Sequence, residues 1–80
     1  MKEMLLLARE IGLPDNDIRD IDEYIDHNEQ GLAFEVLCSS IQQYGLKVSD
    51  NPYQTICALG ENMKMDNDLW MGLKGLNSHF

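Results

Sequence analysis

The sequence predicts an all-α fold, a compact bundle of about five short helices in one domain spanning residues 1–80. Apolar residues recur every three or four positions in five segments, which is the spacing of a buried helix face. Glycine, proline and polar residues separate these segments, and such residues commonly end or begin helices. A chain of 80 residues has enough apolar side chains for only one core.

The first two helices are predicted from the residues that bound them. The first covers residues 2–11 and is closed by Gly12 and Pro14. The second begins at Asp15 or Asn16, whose side chains can accept hydrogen bonds from free backbone amides. Its apolar face has helical spacing and consists of Ile18, Ile21 and Ile25.

The third helix is predicted over residues 29–44, with Gly45 ending it. Its apolar stripe is wide enough to pack on several neighbours, so we expect a central position in the bundle. Residues 46–51 alternate briefly between apolar and polar side chains, but a single strand would lack a partner. We therefore predict a loop there. The stripe comprises Ala33, Phe34, Leu37, Cys38, Ile41 and Tyr44.

Two more helices follow this loop. Pro52 fits the first turn of the fourth helix, with Asp50 or Asn51 as its cap. Gly60 within that helix predicts close packing against a neighbour. The fifth helix starts near residue 66 or 67 and turns Leu76 inward, while residues 77–80 are expected to fray. The predicted core is Ile21, Ile25, Phe34, Leu37, Ile41, Ile56, Leu59, Trp70 and Leu73.

The charge balance excludes some partners and favours others. Fourteen acidic and six basic residues give a net charge of -8, which repels nucleic acid and anionic membranes. A basic protein surface would be attracted instead. The apolar run near the start is too short for a signal-peptide core, and no stretch is long enough to span a bilayer. We therefore expect a cytoplasmic protein, with Cys38 and Cys57 reduced.

The sequence offers little for catalysis or metal binding. Counting an EF-hand loop from Asp15 places Asp20 where the loop requires glycine, and the local spacing is helical. A carrier protein would need a serine at the start of a helix in an Asp-Ser-Leu-like context, and neither Ser39-Ser40 in mid-helix nor Ser49 before Asp50 fits this context. His27 lacks a second and third convergent group. We expect no enzyme activity, no metal and no cofactor.

The second predicted helix is strongly acidic. Residues 15–29 contain seven of the fourteen acids against Arg19 alone, a local net charge of -6. At about 100° per residue, Asp20 and Glu23 project away from the apolar face, and Asp22 and Asp26 lie on one flank. Such a face is either simply solvated or a surface for a basic partner.

The segment 24–37, YIDHNEQGLAFEVL, resembles the helix-junction signature of MafI-type immunity proteins and related small immunity proteins of contact-dependent inhibition systems. The resemblance covers the chain from about Gly12 to Leu73. One departure is Gln42-Gln43, where the family has an acidic residue. Asp26, Asn28 and Gly31 also have a structural explanation at this junction, as a polar cap and a small residue that permits close packing. Later matches are Tyr53, Leu59, Gly60, Met63, Trp70 and Leu73.

The resemblance implies an antidote that binds the toxic C-terminal domain of a secreted effector, often a nuclease. Together with the charge, it predicts a stoichiometric complex with a basic cognate toxin domain, without direct contact to nucleic acid or membrane. An alternative is a helical adaptor or regulatory module, unrelated to toxins, that binds a partner helix in an apolar groove. The expected toxin-binding residues are Asp20, Asp22, Glu23, Asp26 and Glu29.

Overall fold

The computed structural model describes residues 2–77 and the side chains of residues 2–73. The described chain forms five helices without a strand, which confirms the all-α prediction, and residues 45–49 form a loop. No helix in this part is long and apolar enough to cross a membrane. The predicted burial of Leu76 and the predicted fraying of residues 78–80 lie outside the description, whereas Asn77, also predicted to fray, is the last residue of α5. The helices are α1 (Glu3–Ile11), α2 (Asp15–Asp26), α3 (Gln30–Tyr44), α4 (Asp50–Asn62) and α5 (Asp68–Asn77).

The first four helices end in the same way. After each one, a residue with positive φ reverses the chain, and the next backbone N–H donates to a carbonyl five residues earlier. Glycine suits this conformation because it has no Cβ, whereas a side chain makes it costly. The reversing residues are Gly12, Asn28, Gly45 and Lys64.

The helix starts differ from the predictions by one or two residues. Pro14 is the N-cap of α2, and its carbonyl accepts the N–H groups of Asp17 and Ile18 at 3.1 Å. Asp15 is therefore already helical, and the predicted side-chain cap was wrong. The N-cap of α4 is Ser49, so the predicted caps Asp50 and Asn51 lie inside the first turn.

The start predicted for α5, near residue 66 or 67, lies within two residues of the observed start at Asp68. The carboxylate of Asp66 accepts the backbone N–H of Asp68 at 3.1 Å, which caps the start of the helix. The loop before it contains Lys64, the residue that reverses the chain after α4.

Helix α3 has the predicted central position. It makes its most extensive contact with α2 and also packs against α1 and α5. All predicted core residues are buried except Ile25, which is only half-buried. Tyr44 was wrongly assigned to the buried stripe, because it is 46% exposed at the end of α3. Further buried apolar side chains are Met4, Leu7, Ala8, Leu13, Ala33, Cys38 and Val48.

The close approach predicted at Gly60 lies between α4 and α5. The six-membered ring of the Trp70 indole packs against the Gly60 backbone, where a Cβ atom would overlap it. The same indole meets the Phe34 ring edge to face, with centroids 5.7 Å apart and planes at 76°. Residues of α3, α4 and α5 therefore meet at Trp70.

Candidate protein-binding surface

The five predicted binding residues follow one another along α2 and the turn after it. Asp20 and Glu23 are exposed and project away from buried Ile21. Asp22 and Asp26 lie on the flank of α2 that faces α1, with side chains 44% and 64% exposed. Glu29 is exposed at the N-cap of α3. The structure therefore confirms the outward direction of the acidic face but divides it into two parts.

Lys2, the N-cap residue of α1, lies against the flank that contains Asp22 and Asp26. The Nζ atom of Lys2 lies 2.8 Å from Oδ1 of Asp22 and 3.7 Å from Oδ1 of Asp26. The hydrogen bond to Asp22, followed by the two negative charges, raises the pKa of Lys2. Both sides of this ion pair are exposed, so it adds little stability. Its main effect is to neutralise part of the acidic flank, which leaves Asp20, Glu23 and Glu29 as the predicted binding acids outside the ion pair.

Of the residues predicted to form the turn between α2 and α3, Asn28 reverses the chain there, whereas Asp26 does not cap α3. Asn28 adopts φ 60°, and the Glu29 N–H donates to the Tyr24 carbonyl at 2.8 Å. The His27 ring is also structural, since its Nδ1 is 2.8 Å from the Glu23 carbonyl and donates to it when protonated. Asp26 faces Lys2 instead of capping α3, so the predicted cap role was wrong.

Gly31 was predicted to be the small residue that permits close packing at this junction, but the observed packing does not require a glycine there. A Cβ atom at Gly31 would lie 3.6 Å from the Met65 sulfur, which is an ordinary van der Waals distance. Alanine would therefore fit at position 31 without a shift of its neighbours.

A groove that the sequence reasoning missed runs between α2 and α3. Its volume is about 380 Å³. Tyr24, Leu32 and Val36 line the end near the turn, and Asp17 lies towards the opposite end. A hydrogen bond to Asp17 raises the pKa of the Tyr44 hydroxyl, which places the end of α3 beside the start of α2.

Cys38 is buried and Cys57 is half-buried, and both are free thiols in the structure. Burial raises the pKa of Cys38 to about 12, and the nearby Cys57 adds to this effect. A thiol with such a pKa is protonated at neutral pH and is a poor nucleophile. Among the described side chains, no three histidine, cysteine or acidic residues are grouped so that they could hold a metal ion.

The described surface thus has an acidic helix face on which Asp20 and Glu23 are exposed, and beside it a shallow groove. No protein-family model matches the chain, and no curated protein or solved structure is significantly similar to it.

Proposed function

We propose that this protein is a cytoplasmic immunity protein that neutralises the toxic C-terminal domain of a cognate secreted effector by stoichiometric binding. The observation that carries the proposal is the exposed acidic face of α2, where Asp20 and Glu23 project into solvent outside the ion pair of Lys2 with Asp22 and Asp26, and where Arg19 is the one basic residue of the helix. The resemblance of segment 24–37 to immunity proteins supplies the kind of partner, and nuclease activity of the toxin would account for a basic surface on it.

Binding on this surface requires no chemistry from the immunity protein. The net charge of -8 attracts a basic domain over a distance and accelerates the encounter. Asp20 and Glu23 can then accept hydrogen bonds from arginine or lysine side chains of the toxin. Asp22 and Asp26 are held by Lys2 in the free protein, so they join the interface only if a toxin cation displaces that lysine.

The gene neighbourhood provides the first test. We expect a gene for a large secreted effector directly upstream, and its C-terminal domain should arrest growth when produced alone. Co-production of this protein should restore growth, and the two purified proteins should form a 1:1 complex. A toxin that remains active in the presence of excess folded protein would refute the proposal and favour the helical adaptor.

The binding surface is tested with variants of equal charge. Asp20→Asn/Glu23→Gln should slow association with the toxin domain and reduce its salt dependence. Glu10→Gln/Glu61→Gln removes the same charge from exposed positions on α1 and α4, so it should have a much smaller effect. Adding Asp22→Asn and Asp26→Asn to the first pair should weaken binding further. Equal effects of the two double variants would show that only net charge matters.

A further inference from the structure

Helices α1 and α2 border a cleft of about 300 Å³ in which charges of both signs accompany apolar side chains. Residues three or four apart on a helix are neighbours on one side of it. By this spacing, a leucine lies between two basic residues on the α1 side of the cleft, and an isoleucine lies between two acidic residues on the α2 side. These six residues, called the α1–α2 face, are Lys2, Leu6, Arg9, Asp15, Ile18 and Asp22.

The row on α1 is basic and has an exposed apolar centre. Lys2 has helical backbone angles as the N-cap of α1, and Arg9 lies seven residues later, about 10 Å along the axis. Leu6 is four residues after the first and three before the second, and it is 69% exposed. Among the described residues, no carboxylate lies within ion-pair distance of Arg9. This row therefore offers a free cation and an uncovered leucine.

The row on α2 is acidic and has the same spacing in the opposite direction. Asp15 and Asp22 are also seven residues apart, and the half-buried Ile18 is three residues after the first and four before the second. The two helices run in opposite directions, because three residues connect them at one end and the 2.8 Å ion pair of Lys2 with Asp22 joins them at the other. The two rows therefore match in order and in length.

We propose that the α1–α2 face binds the same face of a second copy of this chain. In a dimer whose twofold axis runs along the cleft, α1 of each protomer lies on α2 of its partner, in the opposite direction. The equal spacing then places Arg9 against the partner's Asp15 and Leu6 against the partner's Ile18. The remaining lysine and aspartate face each other in the same way.

The distribution of charge favours a second copy over other occupants. The protein carries a net charge of -8, so most of its surface repels another copy. The α1–α2 face has two cations and two anions, and the adjacent Arg19 and Asp26 add one charge of each sign. A uniformly basic or acidic partner would meet like charge in one of the two rows, whereas the face is complementary to itself.

The dimer should be weak, and it does not depend on the proposed function. The longer helix of the face has 12 residues and is about 18 Å long. A contact two helices wide and of this length is small for a dimer, so we expect a dissociation constant in the micromolar range. Asp20 and Glu23 lie outside the α1–α2 face, so a dimer would leave them accessible to a toxin.

Analytical ultracentrifugation of the whole chain, from micromolar to millimolar concentration, measures the dimer. Arg9→Glu places like charges together at two symmetry-related contacts and should weaken the dimer by about tenfold or more. Lys47→Glu makes the same change of charge in the exposed loop after α3 and should weaken it by no more than about twofold. Leu6→Gln should weaken the dimer strongly, whereas Met71→Gln, at a position 56% exposed on α5, should not.

An exchange of charges tests which residues face each other. Asp15→Lys alone should dissociate the dimer, as Arg9→Glu does. The double variant Arg9→Glu/Asp15→Lys restores opposite charges across the axis and should dimerise again, and an equimolar mixture of the two single variants should form a heterodimer. Loss of folding cannot produce this rescue, and circular dichroism confirms that each variant is folded.

Three results would each overturn the dimer. The first is a wild-type protein that remains monomeric at millimolar concentration. The second is equal weakening by Arg9→Glu and Lys47→Glu, which would assign the effect to net charge alone. The third is a double variant that stays monomeric. Binding of a toxin is measured separately and has no bearing on these results.

Discussion

The indole of Trp70 occupies the space that a side chain at Gly60 would need. A Cβ atom at position 60 would lie 2.5 Å from Cη2 and 2.7 Å from Cε3 of Trp70, distances that real Cβ atoms do not show. The indole is only 4% exposed and also packs against Phe34, so it has little freedom to move away. The close packing of α5 on α4 therefore requires a residue without a side chain at position 60.

Gly60→Ala should therefore destabilise the protein, although alanine favours helices more than glycine does. Overpacking of a filled core costs about 1–3 kcal/mol, which exceeds the gain of about 1 kcal/mol in helix propensity. Urea denaturation of the two proteins measures the difference. Gly31→Ala is the matched control, since the added methyl meets Met65 at an ordinary distance and should not destabilise the fold. A Gly60→Ala protein as stable as the wild type would contradict the packing described.

Lys64 is the one long side chain among the four residues that reverse the chain after a helix. Its φ of 58° lies in the left-handed region, which costs a residue with a Cβ about 1 kcal/mol. Lys64→Gly should therefore stabilise the protein by up to about 1 kcal/mol. The control is Asn28→Gly, which should stabilise the protein less than Lys64→Gly because asparagine tolerates the left-handed conformation. A lower midpoint of thermal unfolding for Lys64→Gly would be inconsistent with this account.

Lys2 shields part of the acidic flank, so its removal should affect binding more than folding. Lys2→Gln leaves Asp22 and Asp26 without their cation and should accelerate association with the proposed toxin partner at low salt. The fold should be nearly unaffected because the ion pair is exposed. Lys47→Gln makes the same change of charge in the exposed loop after α3 and is the control. Stopped-flow association rates that rise equally in both variants would exclude a specific effect of Lys2.

The stability of the fold should fall in mildly alkaline solution because of Cys38. Its pKa is 9.0 when unperturbed and about 12 in the folded protein, so unfolding releases a proton between these values. Below pH 9 the Cys38 thiol is protonated in both the folded and the unfolded protein, so pH does not change the free energy of unfolding through this thiol. Above pH 9 the free energy of unfolding should fall, at most by about 1.4 kcal/mol per pH unit.

Urea unfolding between pH 8 and pH 10 checks this slope. Cys38→Ala lowers the stability at every pH because it leaves a cavity, but it should flatten the pH dependence. Identical slopes for the two proteins would assign the alkaline instability to other groups.

Much of the fold was predictable because its signals are local. Helical spacing of apolar residues and the glycines at positions 12 and 45 were sufficient to find α1, α2 and α3. The caps were not predictable, because runs such as Asp50-Asn51 offer adjacent residues of similar capping ability. Val48 shows a second limit of predicting the fold from the sequence. It is buried within a loop, and loop residues carry no periodicity from which burial could be inferred.

The candidate site was predictable in its charge but not in its contacts. Helix geometry alone places Asp20 and Glu23 on the outward face. The ion pair of Lys2 with Asp22 joins residues 20 positions apart, and the contact of Asp17 with Tyr44 joins different helices. Such pairs depend on how the helices pack, and no spacing along the chain indicates them.

The chain reversals have a consequence for the rate of folding. The connections span only three to five residues, and each reversal is closed by a hydrogen bond across five positions. Helical domains dominated by such local contacts fold within microseconds to milliseconds. Synthesis of 80 residues takes on the order of several seconds at cellular rates. A domain of this design therefore folds as soon as it is made, and for the proposed antidote the rate of translation would set how quickly a cell is protected.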